Sequence, residues 1–121
     1  MRAPPPLLNL VVIRSADLDR AEIFYRVLGL CFERHRHGSG PDHLAAQPFE
    51  GGYVFEIYPA NAKSGSTAGV RIGFSVDAVD SYLDLLVEAG GAIVQAPADS
   101  EWGRRAVVAD PDGHRVELVQ P

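Results

Sequence analysis

Scarcity narrows the reading first. There is one cysteine in 121 residues, Cys31. It permits no internal disulfide, which fits a reducing cytoplasm. It follows Leu30 where a strand should begin, so a buried structural thiol is expected, with a nucleophile as the alternative. No apolar run approaches the roughly 18–20 residues of a membrane span. The opening Met1-Arg2-Ala3-Pro4-Pro5-Pro6 lacks the apolar centre of a signal peptide and reads as a stiff lead-in. Basic charge is short as well. Eleven Lys and Arg against 16 Asp and Glu leave a net charge of -5, without the basic face that nucleic-acid binding needs. There is no phosphate loop, because Gly38/Gly40 and Gly51-Gly52 fall in hairpin turns rather than before helices. A nucleophile triad and a linear Cys/His zinc spacing are also missing. What remains is 46% hydrophobic and 22% charged, the composition of a soluble globular protein, with length for one domain over residues 1–121.

Two short segments organise the rest: Val54-Phe55-Glu56-Ile57-Tyr58 and, 61 residues later, Arg115-Val116-Glu117-Leu118-Val119. Alternate residues of a strand face opposite ways. Phe55 and Ile57 can therefore pack inward while Glu56 points out, and Val116, Leu118 and Glu117 repeat the arrangement. Tyr58 and Arg115 share the glutamates' face.

Around these strands the pattern runs as follows. Residues 8–13 form an apolar run broken only by Asn9, so they read as a buried strand. Asp17 caps a helix over 18–28 with the stripe Leu18, Ala21, Phe24, Tyr25 and Leu28, and Gly29 stops it. Strands over 30–36 and 43–47 flank the turn Gly38-Ser39-Gly40-Pro41-Asp42. After a linker over 61–68 the sequence restarts. Residues 70–76 are a strand. Asp77 caps a helix over 78–89 with the stripe Val79, Tyr82, Leu85, Leu86 and Ala89, stopped by Gly90-Gly91. Residues 92–95 are a strand, 97–103 a loop, and 104–109 a strand. Asp110-Pro111-Asp112-Gly113 is a tight turn, and 114–120 is the last strand. At an offset of 61 without a gap, Leu10 falls on Arg71, Leu18 on Val79, Gly29 on Gly90 and Glu56 on Glu117. This predicts an α+β fold: two β-α-β-β-β units, over about 7–60 and 69–121, each a four-stranded sheet with a helix on one face. Side by side, their open faces would form a curved trough carrying both glutamates.

With Asp17-Leu18-Asp19-Arg20, Phe24-Tyr25 and Leu28-Gly29-Leu30 in the first unit, and Phe74-Ser75-Val76, Val79-Asp80 and Asp110-Pro111-Asp112-Gly113-His114-Arg115-Val116-Glu117-Leu118 in the second, the chain resembles the vicinal oxygen chelate superfamily. That superfamily includes glyoxalase I, bleomycin-resistance proteins and extradiol dioxygenases. The resemblance covers nearly all of the chain and implies the glyoxalase/bleomycin-resistance-like fold. It does not imply one reaction. The resembled enzymes bind one divalent metal through a His or Gln on the first strand of each unit and a Glu on the last. By position the last-strand ligands are Glu56 and Glu117. The first-strand positions hold Leu10, which has no lone pair, and Arg71, a permanent cation. Arg71 is expected to pair with Glu56, Glu117 or both in place of the metal.

Other residues keep more than one reading. His35, His37 and His43 flank the 38–42 turn. They are solvated hairpin imidazoles, or His35 and His43 supply replacement ligands, or His43 acts as general base or substrate donor. His114 follows a tight turn and is expected to be exposed. Trp102 is a lid over the trough, or a plug at the core's end or at a dimer contact. Only one of the adjacent Arg104 and Arg105 can reach the trough.

Two function classes follow. One is a metal-independent binding protein without a cofactor, holding a small, partly aromatic molecule among Leu10, Val12, His43, Tyr58, Arg71 and Trp102, with room at Arg71 for an acidic group if the glutamates do not consume its charge. The other is a glyoxalase-like or dioxygenase-like enzyme with Ni, Zn, Mn or Fe on Glu56 and Glu117, where a glutamate moves the proton. A metal-free enzyme with His43 or a glutamate as base is a third. Short members of the resembled family dimerise to complete their troughs, so a homodimer is expected.

Overall fold

The structure, a computed structural model, describes residues 3–121; Met1 and Arg2 of the proline lead-in lie outside it. The first unit contains β1 (Leu10–Ser15), α1 (Leu18–Val27), β2 (Glu33–His35), β3 (His43–Ala46) and β4 (Val54–Pro59). The second contains β5 (Arg71–Ser75), α2 (Val79–Glu88), β6 (Ala92–Ser100), β7 (Gly103–Ala109) and β8 (Arg115–Gln120). The sheets are ordered β1-β4-β3-β2 and β5-β8-β7-β6. In each, the first and last strands of the unit pair in parallel and the remaining pairs are antiparallel. The fold is α+β, with two open mixed sheets and two helices.

Alternation decides which face is covered. On the inner faces lie Ile13, Leu44, Phe55 and Ile57 in one unit and Ala106, Val108, Val116 and Leu118 in the other, all buried. α1 covers the first set with Phe24 and Tyr25, whose rings stack edge-on at 4.9 Å; Tyr25 lies 5.2 Å from Phe55. α2 contributes Val79, Leu83 and Leu86. One hydrophobic core runs through both units. The helices meet where Gly91 leaves α2: a Cβ there would come 2.6 Å from Phe24 Cε2 and 2.9 Å from the Leu86 carbonyl. Gly29 and Gly90 end their helices with φ of 88° and 99°, the left-handed region that glycine enters without strain.

The repeat is visible in the elements: α1 and α2, and β4 and β8, begin and end 61 residues apart. The gap-free alignment fails in the third strand. Ala45 stands beside Glu56, whereas Val107, not Ala106, stands beside Glu117. A one-residue shift keeps the alternation inward in both units.

Five local expectations need correction. The 8–13 run is not buried throughout: Leu10 is 47% and Val12 38% exposed, because only one face of the sheet carries a helix. Asp17 caps α1 by accepting from the Arg20 amide at 3.2 Å, but Asp77 does not cap α2; the cap position is Ala78, with no side-chain bond. On α2 the buried stripe uses Leu83 rather than Leu85, which is half exposed. The 97–103 loop is mostly strand. β6 continues to Ser100 because it is an edge strand with register shifts around Gln95, where Pro97 has no ladder bond to lose. Cys31 is exposed, since Leu30 and Phe32 take the inward positions on either side of it.

Candidate functional site

On the first sheet's open face, Glu56 lies beside Val12 and Ala45 in register, and Arg14 lies beside Tyr58. His43 is two residues from Ala45 and so shares that face. It is 1% exposed and not a solvated hairpin imidazole. Its ring lies flat on Tyr58, with centroids 4.3 Å apart and planes at 4°, and His37 also stacks on it at 5.0 Å. The Arg14 guanidinium stands 5.1 Å from the Tyr58 ring centroid, from the strand on the far side of β4. His43 Nε2 is 3.4 Å from Glu56 Oε2, within ion-pair range but not aligned for a hydrogen bond. Neither ring nitrogen of His43 has a hydrogen-bond partner among the described residues. His35 pairs with His43 across β2 and β3.

On the second sheet's open face, Glu117 lies beside Gly73 and Val107. Arg105 donates to Glu117 Oε2 at 3.0 Å and to Gln95 Oε1 at 2.9 Å. Arg71 reaches only to 3.9 Å from the same carboxylate oxygen, and its side chain is 62% exposed. The Arg105 hydrogen bond holds the Glu117 carboxyl below its ordinary value; partial burial opposes it, and the charges of Arg105 and Arg71 add to it. Arg104 points the other way, as alternation requires, and donates to Asp80 at 2.6 and 3.1 Å. An open cleft of about 490 Å³ around Glu117 is lined by Arg71, Arg105, Ser75 and Trp102. Trp102 lies in the tight turn between β6 and β7 and is 66% exposed, so it does not plug the core.

Glu56 has a cleft of its own, about 430 Å³, with Cys31, Glu33 and His35. It has no lining residue in common with the Glu117 cleft. The four positions that hold a metal in the resembled enzymes do not suit one here. Leu10 offers hydrocarbon, Arg71 a cation, and the Glu117 carboxylate is already neutralised by Arg105.

A second polar constellation escaped sequence reasoning. His114 is buried, against expectation, because the turn before it begins with a buried carboxylate, Asp110, that draws it inward. Asp110 Oδ1 accepts from the amides of Asp112 and His114, and Oδ2 accepts from Tyr25 Oη at 2.6 Å and from His114 Nδ1 at 2.9 Å. His114 Nε2 meets Thr67 Oγ1 at 2.6 Å, and Thr67 also accepts from the Arg14 amide at 2.9 Å. Burial pushes Asp110 up, but the hydrogen bonds from His114 and Tyr25 outweigh it and hold the carboxyl below its ordinary value. Burial first, then the Asp110 carboxylate, pushes the Tyr25 phenol up, so it remains a donor. This network ties α1, the inter-unit segment and the β7–β8 turn together. Asp110, Asp112 and His114 sit close enough to hold a cation, but the Asp110 and His114 atoms are taken up by these bonds. Arg105 had a sequence signal, since alternation allowed only one of the two arginines to reach the open face. The partner of His114 had none.

Residues 7–118 match the profile of the Glyoxalase/Bleomycin resistance protein/Dioxygenase superfamily. A protein of Mycolicibacterium smegmatis is 30% identical over 93% of this chain and 92% of its own length. A probable lactoylglutathione lyase of Vibrio cholerae serotype O1 is 29% identical over 90% and 86%. Among solved structures, the antibiotic-binding protein TnmS3 from Streptomyces sp. CB03234 superposes with a TM-score of 0.77, covering 99% of both chains at 24% identity. No described helix is long and apolar enough to cross a membrane. The two repeated units, their open glutamate-bearing faces and the match along nearly the whole sequence place the chain in the glyoxalase/bleomycin-resistance/dioxygenase superfamily.

Proposed function

We propose that the protein binds a small, flat, acidic molecule without a metal, and that Arg71 stands where the family's enzymes place a metal ligand. The observation that carries this is the cationic pair on Glu117. Arg105 satisfies the carboxylate at 3.0 Å and leaves the more distant, largely exposed Arg71 guanidinium available to an anionic group in the 490 Å³ cleft. A fork of donors suits a carboxylate or phosphate. Trp102 supplies a stacking surface at one end of the cleft. The likeness to an antibiotic-binding protein supports a binding role rather than a particular ligand.

A cytoplasmic homodimer is part of the same proposal. Leu10 and Val12 remain exposed on the first open face, and β1 and β5 are unpaired sheet edges. A second copy would cover them and bring the His43–Tyr58 stack into a shared trough. The competing reading, an enzyme with a divalent metal on Glu56 and Glu117, draws on the likeness to a lactoylglutathione lyase.

The chain has one tryptophan, and it lines the Glu117 cleft, so its emission can report binding there. Metal-stripped protein titrated with a panel of aromatic carboxylates should quench or shift Trp102. Arg71→Ala should weaken the response by about tenfold. A panel that leaves Trp102 unchanged in the stripped protein, but not after a divalent metal is restored, would favour the enzyme.

A further inference from the structure

We propose that His35, His37 and His43 form a binding site for a late first-row divalent cation of the zinc type. None of the three occupies positions 10, 56, 71 or 117, which correspond to the metal shell of the resembled enzymes. The site belongs to the β2–β3 hairpin alone, and the inference stands apart from the reading of the Glu117 cleft.

Each histidine offers a ligand atom within 4.8 Å of the others. Imidazole nitrogen suits zinc, nickel and copper. Zinc–nitrogen bonds of about 2.0–2.1 Å require nitrogens about 3.3 Å apart in a tetrahedron, so the cluster needs a modest inward closure. The second observation is His43. It is 1% exposed, and both of its nitrogens lack a hydrogen-bond partner among the described residues. A buried imidazole left unpaired is costly, and a bound cation would use the lone pair that nothing else in the fold uses.

The surroundings favour positive charge. Glu56 Oε2 lies 3.4 Å from His43 Nε2, and Glu33 Oε2 lies 3.1 Å from His35 Nε2. A carboxylate accepts only, so the Glu33 contact favours the His35 tautomer protonated at Nε2, with Nδ1 left as the ligand atom. On the hairpin, Arg36 is already engaged by Asp42 at 2.9 Å. His37 must turn its ring out of the stack on His43 to ligate. It is exposed and precedes Gly38, whose φ of 59° sets the bend of the hairpin. Three imidazoles leave a fourth position for water.

The test is a calorimetric titration of tag-free, chelator-stripped protein with Zn²⁺, alongside the visible spectrum of the Co²⁺ form. His43→Ala would open a cavity in a stacked, buried position, so the decisive variant is His37→Ala on the exposed hairpin, with Glu117→Ala as the control for the family's metal positions. The expected result is one Zn²⁺ per chain with a dissociation constant of roughly 10 μM or below, weakened at least about tenfold in His37→Ala and unchanged in Glu117→Ala. The Co²⁺ form should show the intense bands of a four-coordinate site, lost in the same variant. Absence of zinc uptake by the unsubstituted protein, or uptake that His37→Ala retains at full affinity, would overturn the proposal. Uptake lost in Glu117→Ala would overturn the metal-independent reading of the cleft instead.

Discussion

Two arginines lean on Glu117 from different distances, and the difference assigns them different work. Arg105 makes the hydrogen bond that holds the carboxyl low; Arg71 contributes charge from 3.9 Å. Replacing Arg105 by Ala leaves partial burial as the largest remaining influence, so the Glu117 carboxyl should rise in a carboxylate-resolved NMR titration. Arg71→Ala should move it less. A larger response to Arg71→Ala would reverse the assignment and make Arg105 the residue that faces the ligand. The sequence showed that Arg71 stands where a metal ligand was expected and that one of Arg104 and Arg105 could reach the open face, but which of the two, and its bond to Gln95, emerged only with the register of β7 and of the bulged edge strand β6. His114 was misread for a related reason. Turn chemistry predicts the bend of the chain, while the inward pull on His114 comes from Asp110 and from Thr67, 47 residues away.

Helix ends and the Asp110 network carry the element scale. α1 has its Asp17 cap, and the cap position of α2, Ala78, has nearly the same backbone, φ -155° and ψ 99° against -148° and 102°. Asp17→Ala should cost about 1 kcal/mol, and Ala78→Ser should gain up to about 1 kcal/mol, both read as urea midpoints at constant slope. A neutral Ala78→Ser would mean that the Gln120 side chain, which already accepts from the Val79 amide at 3.1 Å, completes the cap.

The Asp110 carboxyl lies lower in the folded chain than in the unfolded one. Its ionised form therefore stabilises the fold fully above the ordinary carboxylate value of about 4, and this contribution is lost as pH falls through the folded value. Asp110→Asn should cost on the order of 3 kcal/mol at neutral pH through the bonds it weakens. It should also flatten the loss of stability as pH falls below the ordinary carboxylate value of about 4. An acid profile in Asp110→Asn parallel to that of the unsubstituted protein would place the acid sensitivity elsewhere. At this scale the sequence was most legible where periodicity and punctuation agree. The helix start at Leu18 and the glycine stops at Gly29 and Gly90 needed no tertiary information, whereas α2 starts at Val79, one residue after the expected 78 and without the expected Asp77 cap. The choice of Leu83 over Leu85 depended on how α2 is rotated against the sheet, which a stripe wide enough for both does not specify.

Over the whole molecule, duplication gave two open faces, and each has followed its own chemistry. The first carries the His43–Tyr58 stack beside Glu56, the second a carboxylate held by arginine. The internal repeat made this architecture readable from sequence, since a β-α-β-β-β unit seen twice constrains both copies. The one-residue shift of the third strand was hidden because both Ala45-Ala46 and Ala106-Val107 tolerate either register as text. Exposed Leu10 and Val12 beside an unpaired β1 edge predict a dimer, which sedimentation at micromolar concentration would show. A monomer under those conditions would leave each cleft complete in one chain.

On the proposed reading, the family's metal positions here serve a metal-independent site. The most direct test is calorimetric titration of chelator-stripped protein and of Glu117→Ala with Ni²⁺, Zn²⁺, Mn²⁺ and Fe²⁺. Glu117→Ala should leave every isotherm unchanged, any zinc uptake being that of the hairpin histidines. A one-to-one site in the unsubstituted protein that disappears in Glu117→Ala would contradict it and make a metalloenzyme of the second cleft.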